Sequence, residues 1–141
     1  TGAQMLDDPV VHDIEGVPTL LSHGDIWCTE DRAYQRWRRF SHNPLAQAIF
    51  MRLSAARRRR IAEGMRRKSR DHQQGQVILD VTPEVVDGLF QRYGVRRVIH
   101  GHTHRPAVHA HAGGTRIVLP DWRAEKKAWL EIDGATVLDR E

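Results

Sequence analysis

The sequence predicts an α/β fold, on three observations. An apolar run, Val17 to Ser22, empties into the polar turn His23-Gly24-Asp25. A second, Val95 to His100, empties into Gly101-His102-Thr103-His104-Arg105-Pro106. Between them the chain carries helical rather than alternating signals. Short apolar runs bounded by turn residues read as buried strands, and ligands gather at the carboxyl ends of strands in open α/β sheets. With 141 residues there is enough chain for one domain and one hydrophobic core.

The elements follow in order. Val17-Pro18-Thr19-Leu20-Leu21-Ser22 is the first expected strand. From Asp31 to Gln74 the pattern is helical, interrupted near Ser41-His42-Asn43-Pro44, where Pro44 suits a first-turn position. Leu45, Ile49 and Leu53 recur every fourth residue and predict one apolar stripe for packing. Arg57 to Arg60 follow directly; four consecutive helical residues spread around most of a circumference, so this turn is not amphipathic. Thr82-Pro83-Glu84 opens another helix with a capping residue, a first-turn proline and an acid at the positive end of the dipole. Val85, Val86, Leu89 and Phe90 give that helix its apolar face, and Tyr93-Gly94 closes it. After the second strand the tail predicts two hairpins: Val108 to Ala112 and Arg116 to Leu119 around Gly113-Gly114, then Ala128 to Ile132 and Ala135 to Leu138 around Asp133-Gly134.

Composition narrows the function. Apolar residues make up 40% and charged residues 28%, a globular balance that excludes an obligately disordered polymer. No apolar run approaches the ~20 residues of a spanning helix, no secretory signal is visible, and a chain with one cysteine has a reducing cytoplasm as its expected compartment. The single cysteine, Cys28, excludes an internal disulfide and a zinc ribbon, and is read as packing. Net charge is +4, yet the window from Arg32 to Arg70 holds 13 basic residues against one acid, Glu63. Of the 22 basic residues 19 are arginine, the side chain that grips phosphate or carboxylate in two-point fashion. The partner expected from this window is anionic: a phosphorylated substrate, an anionic lipid surface or a nucleic acid.

Five of the nine histidines lie between His100 and His111. In an extended segment His102 and His104 project to the same side, and imidazole is a common ligand of first-row metals. His23 stands in a similar strand-to-loop setting, so His23, His102 and His104 are the candidate metal ligands and are expected to converge.

His23-Gly24-Asp25 and Gly101-His102-x-His104, in that order, resemble the last two metal motifs of the calcineurin-like metallophosphoesterases. Longer stretches resemble a narrower family, the UDP-2,3-diacylglucosamine diphosphatases: H-G-D-I-W-C-T-E-D at 23–31 with Tyr34-Gln35, M-R-R-K-S at 65–69, I-L-D-V at 78–81 and I-H-G-H-T-H-R-P-A-V-H at 99–109. The match runs from about Met5 to Trp122.

What the resemblance implies is a four-layer α/β/β/α sandwich with a helical cap insertion, the cap falling at 31–74 and the whole of 1–141 forming the C-terminal portion of one metallophosphoesterase domain. It implies two manganese ions and cleavage of the pyrophosphate of UDP-2,3-diacylglucosamine to UMP and 2,3-diacylglucosamine 1-phosphate, a step of lipid A biosynthesis, on the cytoplasmic face of the inner membrane. His23 and His102 would hold one manganese and His104 the other. His102, Asp31 and Ser69 would contact substrate, with Tyr34 on the substrate wall and Arg105 on a phosphate oxygen. The basic window beside Leu45, Ile49, Phe50 and Leu53 would suit a diacylated diphosphate and an anionic membrane surface. The superfamily's Asp-x-His, Gly-Asp and Gly-Asn-(His or Arg)-Asp motifs do not occur before His23. The chain alone is therefore expected to bind metal weakly and to be inactive, with a separate N-terminal half as a candidate partner. The strands ending at Ser22 and His100 are expected to lack the natural sheet neighbours that such a first half would supply. After Ser69 the family's asparagine and lysine contacts do not transfer onto Arg70 to Gln76. The competing readings are another calcineurin-like phosphodiesterase, which Cys28-Thr29-Glu30-Asp31 argues against, a non-catalytic remnant, and a nucleic-acid binder. The last would explain the arginines but not the histidines.

Overall fold

The computed structural model describes residues 2, 4–73, 79–121, 129–133 and 136–140, with side chains described for these apart from 68–73, 129, 133 and 136–140. Two compact units result, Thr1–Cys28 with Asp80–Glu141, and Thr29–Leu79.

The first unit is built on a five-stranded mixed sheet. Its strands are β1 (Val10–Ile14), β2 (Val17–Ser22), β3 (Arg97–His100), β4 (Ala107–His111) and β5 (Gly114–Val118), in the order β1-β2-β3-β5-β4. β2, β3 and β5 run parallel, and β1 and β4 close the edges antiparallel. The strands ending at Ser22 and His100 are thus flanked on both sides within this chain, β2 by β1 and β3, and β3 by β2 and β5. β1 is the antiparallel edge partner of β2. It turns into β2 through Glu15 and Gly16, both at positive φ (56° and 73°), as a tight hairpin with the strands' own twist requires; the Asp13 carboxylate accepts the Gly16 N–H at 2.9 Å.

Register decides which residues share a face. Leu20, Val98 and Arg116 lie in one row and Ser22, His100 and Val118 in the next row on that face. Helix α4 (Pro83–Tyr93) covers it, joining Val86, Leu89 and Phe90 to Leu20, Val98, Trp27, Cys28, Val81 and Val95 in one buried core. Thr82 sits at the N-cap in extended conformation, and Gly94 ends the helix at φ 62° with Val95 N–H returning to the Phe90 carbonyl at 3.1 Å. Trp27 and Cys28 are core residues, 3% and 1% exposed.

The first tail hairpin forms one residue earlier than expected. His111 pairs with Gly114, so the loop is Ala112-Gly113 and Gly114 already belongs to β5. Close approach is the reason: a Cβ on Gly114 would stand 2.1 Å from the Arg96 carbonyl oxygen, and one on Gly113 2.5 Å from Phe90 Cβ. β6 (Trp129–Asp133) and β7 (Thr136–Arg140) form the second, two-stranded sheet. Trp122 lies outside the described residues.

The second unit contains α1 (Arg32–Ser41), α2 (Pro44–Arg52) and α3 (Ala55–Gln73). Asp31 caps α1 by accepting the Tyr34 N–H at 2.9 Å, and Asn43 caps α2 by accepting Leu45 and Ala46 N–H at 2.9 and 3.1 Å, with Pro44 at the first helical position. A second break, at Leu53 and Ser54, was not expected. Leu53 is extended (ψ 149°) and the Ser54 hydroxyl accepts the Arg57 N–H at 3.4 Å. The apolar stripe is corrected by the same geometry, since Leu45 is 69% and Ile49 55% exposed. The inward side of α2 is instead Ala46 and Phe50, which with Trp37, Phe40, Met51 and Met65 line an apolar cavity of about 340 Å³. No helix among the described residues is long and apolar enough to cross a membrane.

Candidate functional site

Two loops at the carboxyl ends of β2 and β3 meet. The His23 and His102 rings lie edge to face with centroids 5.1 Å apart. His23 is exposed and His102 half-buried, so the pair opens to solvent. The loops are tied to each other through the backbone, Gly101 N–H donating to the His23 carbonyl at 3.2 Å. The His23 loop is tied also to Asp8, whose carboxylate accepts the Ser22 hydroxyl at 2.5 Å and the His23 N–H at 3.3 Å.

The two histidines of the second loop do not project alike from an extended segment. β3 ends at His100, and His102 and His104 stand at φ 64° and 53°, left-handed values that non-glycine residues rarely adopt. This conformation curls the loop, buries Thr103 at 2% exposure between them, and leaves the Thr103 hydroxyl without a hydrogen-bond partner. Strain of this kind costs about 1–3 kcal/mol per residue and gathers where function holds it in place. His104 turns to Asp121, its Nδ1 3.0 Å from the carboxylate, so that Nε2 is the nitrogen left to meet a ligand. A carboxylate behind one ring nitrogen is the usual way to orient an imidazole ligand.

Beneath the pair lies a network that the sequence reading passed over. His100 is completely buried. Its Nδ1 is 2.9 Å from the Gly101 carbonyl, which cannot donate, so Nδ1 carries the proton and Nε2 accepts from Arg116 Nη1 at 3.2 Å. Arg116, 6% exposed, reaches the Asp80 carboxylate at 3.3 Å through the same nitrogen. Burial above all, with the Arg116 charge adding to it against the Gly101 hydrogen bond, pulls the His100 pKa from 6.5 down to about 4. Burial pushes Asp80 upward, but the Val81 N–H at 2.7 Å and the Arg116 guanidinium outweigh it and leave its pKa below the usual value. Trp27 packs edge-on to the His100 ring at 5.7 Å, and Gly24, at φ 95°, lies against it so closely that a Cβ would stand 2.8 Å from Nδ1. The signal in the sequence was an arginine inside the apolar strand Thr115-Arg116-Ile117-Val118, which needs a buried partner.

Protein-bound metals of the imidazole-preferring kind take three or four side-chain donors. Among the described residues no group of three or more His, Cys, Asp or Glu side chains is placed to hold a metal ion. His23 and His102 are two imidazole donors, and by themselves they do not make up such a ligand set.

The remaining candidates lie elsewhere. Arg105 is exposed at the end of the His104 loop. Asp31 and Tyr34 belong to the helical unit, where Asp31 is committed to capping α1. Ser69 falls within α3, and its side chain is outside the described residues. In the same unit Arg32, Arg36 and Arg39 line a cavity of about 340 Å³ with Thr29 and Gln35. Of the four-arginine run, Arg57, Arg59 and Arg60 are exposed, while Arg58 packs its Nη1 3.2 Å from the Met51 sulfur.

No family model matches the chain. Among curated proteins it is 44% identical over 139 residues to a UDP-2,3-diacylglucosamine hydrolase of Pseudomonas fluorescens, covering 94% of this chain and 55% of the relative. It is 45% identical over 145 residues to the protein of that name from Xanthomonas campestris pv. campestris, covering 94% and 58%. To that of Pseudomonas aeruginosa it is 45% identical over 139 residues, covering 94% and 57%. The chain therefore spans a little over half the length of the curated relatives it matches, their C-terminal portion.

Proposed function

We propose that this chain is the C-terminal portion of a hydrolase that cleaves the pyrophosphate bond of UDP-2,3-diacylglucosamine to UMP and 2,3-diacylglucosamine 1-phosphate. The observation that carries the reading is the alignment of 94% of the chain with relatives bearing that name, at 44–45% identity. The ring contact between His23 and His102 supports it, because it joins the two loops that the motifs singled out. In this reading the five-stranded sheet with α4 is part of a four-layer α/β/β/α sandwich, and the three helices of Thr29–Leu79 are its cap.

The chain's own residues make a divided contribution. The sheet unit presents two imidazoles on bent loops, His23 and His102, with His104 held by Asp121. Manganese is the cation the motifs imply; bound by a complete ligand set, it would neutralise negative charge on a phosphate. Two imidazoles do not hold it alone, so the full ligand set includes donors beyond those described. In this proposal His102 and Arg105, on the loops of the sheet unit, face the diphosphate; Asp31, Ser69 and Tyr34 are proposed as substrate contacts on the family resemblance alone. The helical unit supplies the other chemistry the substrate demands: an apolar cavity lined by Trp37, Phe40, Phe50, Met51 and Met65 for acyl chains, and arginines for negative charge. Exposed Leu45 and Ile49 beside a basic run suit the surface of an anionic membrane, on its cytoplasmic side.

The test is a chimera in which this chain replaces the corresponding portion of the Pseudomonas fluorescens hydrolase. Manganese-dependent release of UMP from UDP-2,3-diacylglucosamine, and not from UDP-glucose, is the expected result. A folded chimera that releases no UMP contradicts the proposal.

A further inference from the structure

His100 touches both loops that carry the His23–His102 pair. It donates from Nδ1 to the Gly101 carbonyl, the residue before His102, and Gly24, the residue after His23, lies directly on its ring. The Gly101 carbonyl also accepts the Thr103 N–H at 2.8 Å, which makes it the pivot of the bend that gives His102 its left-handed conformation. A ring in this place is useful only if its orientation is fixed. Rotation by half a turn about the Cβ–Cγ bond would replace the Nδ1–H facing Gly101 with a carbon and release the carbonyl. The only group donating to Nε2 among the hydrogen bonds described is Arg116 Nη1 at 3.2 Å. Arg116 is in turn held by Asp80, which stands just before α4 and whose carboxylate is fixed by the Val81 N–H at 2.7 Å.

We propose that Arg116 is a positioning residue: anchored by Asp80, it sets the orientation of the buried His100 ring and through it the geometry of the His23 and His102 loops. A simple tie between β5 and the start of α4 would need only the Arg116–Asp80 contact. The donation to His100 Nε2 is what extends the tie to the loops. A burial of this sort is otherwise hard to account for, since a buried ion pair is seldom more stabilising than apolar residues of the same volume, and its better-attested use is in specifying one arrangement. This role deepens the hydrolase reading and rests on it only for the use made of the histidine pair.

The test is nuclear magnetic resonance on the full chain with labelled histidine rings, in a chelator and without substrate, so the clamp is judged independently of any activity. In the wild type, long-range proton–nitrogen correlations place the His100 proton on Nδ1, and a nuclear Overhauser cross-peak joins the His23 and His102 rings. A proton on His100 Nε2 overturns the proposal, because Arg116 would then have nothing to donate to. In Arg116→Met the cross-peak is lost and His100 no longer shows a single tautomer, while methyl contacts among Leu20, Val86 and Val98 persist. Arg116→Lys, which restores a cationic donor, brings the cross-peak back. An unchanged cross-peak in folded Arg116→Met overturns the proposal. Should that variant not fold, Asp80→Asn decides with the wild-type tautomer: it keeps an acceptor for Val81 and removes only the charge facing Arg116. Its cross-peak weakens if the clamp operates, and an unaltered cross-peak and tautomer refute it.

Discussion

Replacing Gly24 by alanine strikes a point where the His23 loop rests on the buried His100 ring. Two penalties combine there. The residue stands at φ 95°, outside the regions an L side chain favours, which costs about 1–2 kcal/mol. The new Cβ would also lie 2.8 Å from His100 Nδ1, 3.0 Å from its Cβ and 3.1 Å from Cγ. His100 has no room to retreat, being completely buried with Trp27 on one side and bound at both nitrogens. Overpacking of a tight core adds about 1–3 kcal/mol. The sum, about 2–5 kcal/mol, is a large share of the ~5–15 kcal/mol that holds a typical domain. Urea unfolding followed by far-ultraviolet circular dichroism measures it, with Gly88→Ala as the control. Gly88 lies within α4 with nothing within 4 Å of an added Cβ, so alanine there gains about 0.5–1 kcal/mol. A Gly24→Ala protein within about 0.5 kcal/mol of wild type would refute the claim that the two loops are locked through the His100 ring.

Three further outcomes follow from the same geometry. Because the folded His100 ring stays neutral down to about pH 4 while the unfolded ring takes a proton near 6.5, its stabilising effect is complete above pH 6.5 and is lost as pH falls toward 4. The loss is about 3 kcal/mol, and urea titrations across that window in a chelator should show it in the wild type and not in His100→Gln. Filling the apolar cavity of the helical unit with Ala46→Trp should raise KM for the diacylated substrate about tenfold, close to 1.4 kcal/mol, with kcat kept, measured in the chimera; unchanged KM would remove that cavity from acyl binding. Neutralising Arg57, Arg59 and Arg60, all exposed, should weaken binding to anionic vesicles by about 1 kcal/mol per charge and flatten its salt dependence. Sedimentation with vesicles of mixed neutral and anionic lipid reads this directly, and equal binding would make the run a solvated helix face.

Local chemistry made much of the fold legible. Pro44 and Pro83 marked helix starts, Gly94 a helix end, and the runs before His23 and His100 read as strands because parallel strands are apolar throughout. β1 escaped because Val10-Val11-His12-Asp13-Ile14 neither alternates cleanly nor forms an apolar run, and it is an edge strand with its middle exposed. The Leu45–Ile49–Leu53 stripe misled because periodicity shows that a helix has two faces without showing which of them finds a partner. At the site, His23 and His102 could be paired from their strand-end positions alone. The loop geometry could not: left-handed conformations at His102 and His104 are imposed by tertiary contacts, and they break the alternation that put both rings on one side. Asp121 and Asp80 escaped for a related reason, since a carboxylate that orients an imidazole or an arginine carries no local signature and is recognised only when the fold sets it beside its partner.

In the proposed hydrolase His23 and His102, from separate loops, act as one unit. A double-mutant cycle in the chimera tests it most directly, with UMP release as the readout for His23→Ala, His102→Ala and the pair together. Each single variant should lose more than about 100-fold, the upper range for groups that merely support a ligand. The double variant should lose little beyond either single one, as residues acting together do. Losses that multiply, or a His102→Ala chimera that retains its rate, would contradict the account.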